Sequence, residues 1–246
     1  MAINWIESRV IDQIKWTNDL VSIKFENKIP PYTAGQFTKI GLKIDGELIS
    51  RPYSLVSSPS EDFLEVIYVN VPDGKLTPKL HALKKDDILY VMDKPSGFFI
   101  MDEVPEGDKL WLVATGTGLG VFISLLKTDA PWDRFKEIVL IHGVRTSGEL
   151  AYQNQIDEFK KQHPNQLKYI QTVTREKIEN TLNSRIPDAI KDNSITDVCG
   201  SIDSRSQFML CGNPDMINDM VSLLGEYGLE RNRRSKPGNI TLEKYW

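Results

Sequence analysis

The stretch Leu110-Trp-Leu-Val-Ala-Thr-Gly-Thr-Gly-Leu-Gly-Val-Phe-Ile-Ser-Leu-Leu126 decides the fold. Residues 110–114 are all apolar and lead through a glycine turn into a second apolar run at 121–126. A short apolar run bounded by such a turn reads as a strand buried on both faces, and strands of that kind belong to parallel sheets covered by helices. The turn, Ala114-Thr-Gly-Thr-Gly-Leu-Gly120, offers backbone N–H groups and the positive end of the next helix to an approaching pyrophosphate. Its spacing is G-x-G-x-G rather than the G-x-G-x-x-G of the dinucleotide fingerprint, so a plain tight turn stays open as the alternative.

Downstream, strands and helices alternate. Apolar runs at 138–142, 167–173 and 207–211 are separated by amphipathic stretches at 151–161 and 215–226, a pattern that specifies a doubly wound parallel sheet. The residues that follow its strands carry the cofactor argument. Where a fold selective for NAD places an acid, this chain has His142-Gly-Val144-Arg145, then Thr174-Arg175 after the next strand and Asn183-Ser-Arg185 soon after. Planar guanidinium groups can surround a 2′-phosphate, so NADP(H) is expected over NAD(H). Any one of these arginines taken alone reads equally as a solvated surface residue.

Upstream, the polar segment Met101-Asp-Glu-Val-Pro-Glu-Gly-Asp-Lys109 separates two patterns, which divides the chain into domains at 1–102 and 103–246. Short runs of strand character fill the first: 10–14, 20–25, 37–44, 63–69 and 88–92. Asp45-Gly46 reads as a hairpin turn between two of them. Closely spaced strands with few helices predict an antiparallel β-barrel. The one helix expected there is 76–83, with Thr77 as N-cap and Pro78 at the first helical position. At the end of a barrel strand stands Arg51-Pro52-Tyr53-Ser54. Arginine can pair with a diphosphate, an aromatic ring can cover a flavin's flat face, and a hydroxyl can reach its N5 edge; by itself the pattern also fits an ordinary strand end.

With 246 residues, 40% hydrophobic and 26% charged, the chain has the composition of a globular protein, and its formal charge of −4 argues against general nucleic-acid binding. Its start lacks the features of a secretion signal and no apolar run nears the ~20 residues that cross a bilayer, so a cytoplasmic location is expected. Cys199 and Cys211 are too few for a disulfide framework or an iron–sulfur cluster, and His81, His142 and His163 share no metal spacing. No metal is expected, and redox chemistry would need an organic cofactor or one supplied from outside.

Taken in order, R-P-Y-S at 51–54, Pro72-Asp-Gly-Lys75-Leu-Thr77, A-T-G-T-G-L-G at 114–120 and Leu210-Cys211-Gly212-Asn213-Pro214 resemble the bacterial-type ferredoxin/flavodoxin–NADP(+) reductases over essentially the whole chain. The resemblance implies FAD on the barrel, held by Arg51, Pro52, Tyr53 and Ser54, by the strand residues Ile67, Tyr68, Val69 and Asn70, and by Lys75, Leu76 and Thr77 at the diphosphate. It implies NADP(H) at Gly116, Thr117 and Gly118, at Val144, Arg145, Thr174, Arg175 and Arg185, and at Cys211, Gly212 and Asn213, with Thr117 reaching toward both cofactors. Tyr245 would lie near the isoalloxazine and Trp246 near the FAD adenine. Ser54, Cys211 and Tyr245 are the residues expected at the reacting atoms. Val121 departs from the pattern, since many relatives carry proline there, and Glu243 is the candidate for a carboxylate near the flavin. The implied activity passes electrons between NADP(H) and a ferredoxin or flavodoxin, with NADPH oxidation expected in a non-photosynthetic cell. The chain would act as a monomer, and the basic run Arg231-Asn-Arg-Arg-Ser-Lys236 could steer the acidic carrier. The alternatives are a reductase of the same fold serving a ferric chelate or an oxygenase, or a non-catalytic relay subunit.

Overall fold

The structure is a computed structural model and describes residues 4–244. In the N-terminal half β1 (Trp5–Lys15), β2 (Leu20–Glu26), β3 (Phe37–Ile44), β4 (Glu47–Ser54) and β5 (Phe63–Val69) precede α1 (Thr77–Ala82) and β6 (Ile88–Met92). Their antiparallel sheet runs β4-β3-β6-β1-β2-β5. β1 pairs with β6 at one end and β2 at the other, and a register shift between Val10 and Asp12 bends it to serve both. Beyond β4 the chain reaches β5, where the Val56 N–H donates to the Glu65 carbonyl at 2.8 Å, so the sheet closes as the expected barrel. Alternation places Val21, Ile23, Phe25, Ile40, Leu64, Val66, Leu89 and Val91 inside it. The hairpin at Asp45-Gly46 has positive φ at both residues (51° and 84°), the primed turn that suits strand twist.

α1 forms as expected, but Thr77 is not its cap. Leu76 holds that place without a side-chain bond. The Thr77 hydroxyl instead turns back to the end of β5, accepting from the Val71 N–H at 2.9 Å, which ties the 71–77 loop closed and leaves nothing for the helix end. Closure of the loop outcompetes capping because Thr77 lies inside the first turn, not before it.

The second half holds β7 (Lys109–Thr115), α2 (Leu119–Leu126), α3 (Ala130–Arg134), β8 (Glu137–Val144), α4 (Gln153–Gln162), β9 (Leu167–Val173), α5 (Ile186–Lys191), α6 (Thr196–Cys199), β10 (Ser206–Gly212), α7 (Pro214–Glu226) and β11 (Ile240–Lys244). All neighbours in the sheet, ordered β11-β10-β7-β8-β9, are parallel. Leu110, Leu112, Ile138 and Leu140 face α2 and α4, while Trp111, Val113, Val139 and Ile141 face α5 and α7. Both faces are covered, and that is why the strands read as continuous apolar runs. α4 begins two residues later than its amphipathic pattern suggests, because Tyr152 takes a left-handed conformation (φ 58°). The strand order reverses between β7 and β10, so the crevice at their C-terminal ends is the topological switch point, where doubly wound sheets bind ligands.

Candidate functional site

Two turns meet at that switch point. After β7, Gly116–Gly118 forms a 3-10 turn that runs directly into α2, and after β10 the chain turns at Gly212 into α7, capped by the Asn213 side chain. They interlock. A Cβ on Gly118 would stand 2.5 Å from the Cys211 carbonyl oxygen, and one on Gly212, whose φ is +133°, would strike the Thr115 hydroxyl. That hydroxyl in turn accepts the Asn213 N–H at 2.8 Å. Glycine is therefore required at both turns, and they fit a diphosphate approached by backbone N–H groups. Thr117 lies half-buried at the tip of the first turn, and Cys211 is fully buried.

His142 supports the glycine turn from below. It is fully buried at the end of β8, with Nε2 3.1 Å from the Gly116 carbonyl. A carbonyl only accepts, so Nε2 carries the proton, while Nδ1 is buried without a partner. Burial pushes the His142 pKa down to about 4, against the Gly116 bond, so the ring is neutral. Sequence reasoning passed over this role because the three histidines share no spacing.

The arginine loops lie side by side. The Arg175 N–H donates to the Arg145 carbonyl at 2.9 Å, and the Thr174 N–H to that of Val144 at 3.1 Å. Both guanidinium groups are exposed, and among the described residues neither has a hydrogen bond or ion pair. Arg185, just before α5, instead pairs with Asp219 of α7 at 3.1 Å. That contact is exposed on both sides and therefore weak and exchangeable. Two carboxylates that sequence reasoning did not select order the same loops: Glu149 accepts the Arg145 N–H at 3.1 Å, and Glu176 accepts the Ser147 N–H at 2.9 Å, which lowers the Glu176 pKa. Glu176 directly follows Arg175, and that adjacency was the available signal.

On the barrel, Arg51 and Pro52 are exposed, Tyr53 is half-buried and Ser54 is buried. The Tyr53 ring stands edge-on to Tyr68 of β5, centroids 6.3 Å apart, and burial pushes its pKa up to about 12 despite Arg51 nearby. The Tyr68 hydroxyl and the Asn70 side-chain oxygen are buried without partners, two groups along the end of β5 that a bound molecule would satisfy. Ile67 is buried and Val69 exposed. Lys75 is exposed within the closed 71–77 loop, and Leu76 is buried. The residues present thus fit a flat, polar-edged cofactor with a diphosphate.

The two halves of the site adjoin. β5 touches the glycine turn, and a Cβ on Gly120 would lie 2.8 Å from Ile67 and 2.9 Å from Val56. Glu243 of β11 is in register with Cys211 of β10, and burial raises its carboxyl pKa to about 7. Tyr245 and Trp246 lie outside the described residues.

A closed antiparallel barrel apposed to a doubly wound sheet, with β5 of the one against the glycine turn of the other, is the arrangement of a nucleotide-dependent oxidoreductase. Residues 9–99 match the family described as oxidoreductase FAD-binding domain, and residues 112–222 the oxidoreductase NAD-binding domain. The chain is 40% identical over 246 residues to the flavodoxin/ferredoxin–NADP reductase of Escherichia coli (strain K12), covering 99% of each chain. It is 35% identical to the ferredoxin–NADP reductase of Azotobacter vinelandii, covering 96% of this chain and 95% of the relative. A crystal structure of a ferredoxin NADP+ reductase from Neisseria gonorrhoeae, with bound FAD and NADP, superposes with a TM-score of 0.93 at 26% identity over 98% of this chain and 99% of that one. The chain belongs to the flavodoxin/ferredoxin–NADP reductase family and is an FAD-dependent oxidoreductase.

Proposed function

We propose that this protein passes electrons between NADP(H) and a flavodoxin or ferredoxin. The observation that carries the reading is the apposition of β5, with its unpartnered Tyr68 and Asn70 groups, to the glycine turn at the sheet's switch point. That apposition brings a flavin site and a nicotinamide site within reach of each other. The FAD site comprises Arg51, Pro52, Tyr53 and Ser54, the strand Ile67 to Asn70, the loop Lys75 to Thr77, Thr117 of the glycine turn, and the terminal Tyr245 and Trp246. The NADP(H) site comprises Gly116, Thr117, Gly118, Val144, Arg145, Thr174, Arg175, Arg185, Cys211, Gly212 and Asn213. The division at 1–102 and 103–246 belongs to the same proposal.

FAD bound there supplies the conversion between two-electron and one-electron chemistry. The chain's part is to bind, orient and exclude water. Arg51 meets the diphosphate, and Tyr53 and Tyr68 wall the ring site. Thr117 and Asn213 flank the crevice, and Arg145 and Arg175 take the 2′-phosphate. Glu243, beside Cys211, holds a proton near neutrality and is the group able to exchange one at this edge. The carrier is an acidic protein drawn in transiently by the run at 231–236, and the chain acts as a monomer. Arg234, in the middle of that run, pairs with Glu103 at 3.2 Å and lies over the Phe98 ring, which ties the run to the segment that follows the barrel.

The test is the absorbance spectrum of the purified protein before and after NADPH, followed by steady-state assays with flavodoxin, ferredoxin and ferric chelates. A yellow protein bleached by NADPH and turning over fastest with flavodoxin or ferredoxin is expected. Faster turnover with a ferric chelate would replace the carrier assignment, and FAD binding without any NADPH oxidation would favour a relay subunit.

A further inference from the structure

A buried row of hydrogen bonds joins the barrel to the α/β domain, and none of its members belongs to either proposed cofactor site. Tyr152, at the entrance to α4, has φ 58° and ψ 24°, a backbone conformation bulky residues seldom adopt. That turn lays its ring against Trp16, centroids 4.8 Å apart, and sends its hydroxyl between two barrel strands. The hydroxyl is 2.5 Å from Ser22 Oγ on β2 and donates to Glu65 Oε1 on β5 at 2.8 Å. Trp16 Nε1 donates to Ser22 Oγ at 2.8 Å. The one proton of the Tyr152 hydroxyl goes to Glu65 and an indole only donates, so Ser22 gives its own proton to Tyr152 and the row has one direction: Trp16 to Ser22, Ser22 to Tyr152, Tyr152 to Glu65. Ser22 is fully buried, Glu65 is 2% exposed and Tyr152 6%.

Burying a carboxyl and holding a tyrosine left-handed both oppose stability, and packed apolar side chains would close the same seam without either cost. What directional bonds add is a single relative placement. The seam carries two more polar contacts, Ser124 Oγ to the Ser57 carbonyl at 2.7 Å and Lys127 to Glu61 at 2.9 Å, so the domains are clasped along this edge. Glu65 lies two residues from Ile67 on β5, and Ile67 together with Val56 packs against the first turn of α2. The row therefore fixes the strand beneath the proposed flavin to the domain that holds the nicotinamide.

We propose that Tyr152 is a positioning residue for hydride transfer: through Glu65 and Ser22 its hydroxyl sets the orientation of the two domains and hence the approach of nicotinamide to flavin. This rests on the function proposed above. Hydride transfer needs the reacting atoms within about 3–3.5 Å, so a small rotation at the seam reduces the rate without touching either binding site.

The test uses the FAD-loaded Tyr152→Phe protein, which keeps the ring against Trp16 and loses only the hydroxyl. FAD content and the Kd for NADP+, titrated by flavin difference absorbance, should stay within about twofold of wild type. The rate of flavin bleaching at saturating NADPH, followed by stopped flow, should fall about tenfold or more. Glu65→Leu, which removes the acceptor, should slow bleaching likewise, and Glu65→Gln, which restores an acceptor oxygen, should recover it. An unchanged bleaching rate in Tyr152→Phe would overturn the proposal, as would a loss that merely follows FAD or NADP+ affinity. Wild-type protein that binds both nucleotides but is not bleached would overturn the proposed function, and this role with it.

Discussion

At the scale of single residues, charge and burial give separable predictions. Arg145 and Arg175 present unengaged guanidinium groups, whereas Arg185 already pairs with Asp219, so the first two should dominate NADPH selection. Replacing both with alanine should raise the KM for NADPH at least about tenfold, the worth of roughly one charge-assisted bond pair, and leave that for NADH nearly unchanged. Equal losses for both nucleotides would remove the 2′-phosphate assignment. His142 predicts a pH effect of definite sign. Between about 6.5 and 4 the unfolded chain takes up a proton that the folded chain refuses, so this residue's contribution is full above 6.5 and is lost as the pH falls toward 4. The loss is at most about 3 kcal/mol. Glu65 pulls the other way, since burial raises its pKa and acid favours its folded form, so only a comparison at each pH isolates the histidine. His142→Gln keeps an amide donor for Gly116 and should flatten the difference in guanidinium midpoint between pH 7 and 4.5. Parallel pH curves for the two proteins would show that His142 does not carry the effect.

At the scale of elements, the interlocked turns after β7 and β10 act as one unit. Gly118→Ala puts a Cβ against the Cys211 carbonyl, a backbone atom that cannot rotate away, so the turns must part. Overpacking of that kind costs about 1–3 kcal/mol, and NADP+ affinity should drop correspondingly, about fivefold or more, while FAD stays bound. Undiminished NADP+ binding in calorimetry would separate the turn from the nucleotide. The elements also show what the sequence made legible. β7, β8 and β10 were readable because burial on both faces leaves unbroken apolar runs, and most barrel strands because turn residues punctuate them, whereas β4, exposed or half-buried except at its last residue, showed only through its hairpin turn and the Arg51–Ser54 end. β11 escaped, since Ile240–Lys244 is a short edge strand whose polar residues resemble a tail. Thr77 was misread because threonine serves equally as a cap or as a loop tie, and only the position of Val71 in space decides. The glycine turns and arginine loops were visible as local patterns. The row from Trp16 to Glu65 was not, because its members are up to 136 residues apart and none is unusual in its own neighbourhood.

At the scale of the whole molecule, the question is whether the two halves unfold together. The barrel core around Val21, Phe25, Val66 and Leu89 is its own, as is the layer beneath α5 and α7. The third cluster is shared. Leu20, Val56, Ile67 and Phe99 from the barrel side pack in one continuous group with Leu119, Phe122, Leu140 and Tyr152 from the other. A seam built as a core, and clasped by buried polar contacts, is unlike the smaller and more polar boundary that lets domains move and melt independently. Separating the halves would expose Leu20, Ile67 and Phe122, side chains now at most 6% accessible, and each fully buried group of that kind contributes about 1.5–3 kcal/mol. Neither half should therefore persist once the other has gone. Heating should give one transition, with loss of FAD, of far-UV ellipticity and of tryptophan emission superimposed, and with calorimetric and van't Hoff enthalpies equal. Trp16 sits at the seam and Trp111 lies in the interior of the α/β sheet, so single tryptophan replacements assign each probe to its place. Two resolved transitions, or emission from Trp111 changing apart from the release of FAD, would show that the shared cluster does not couple the halves.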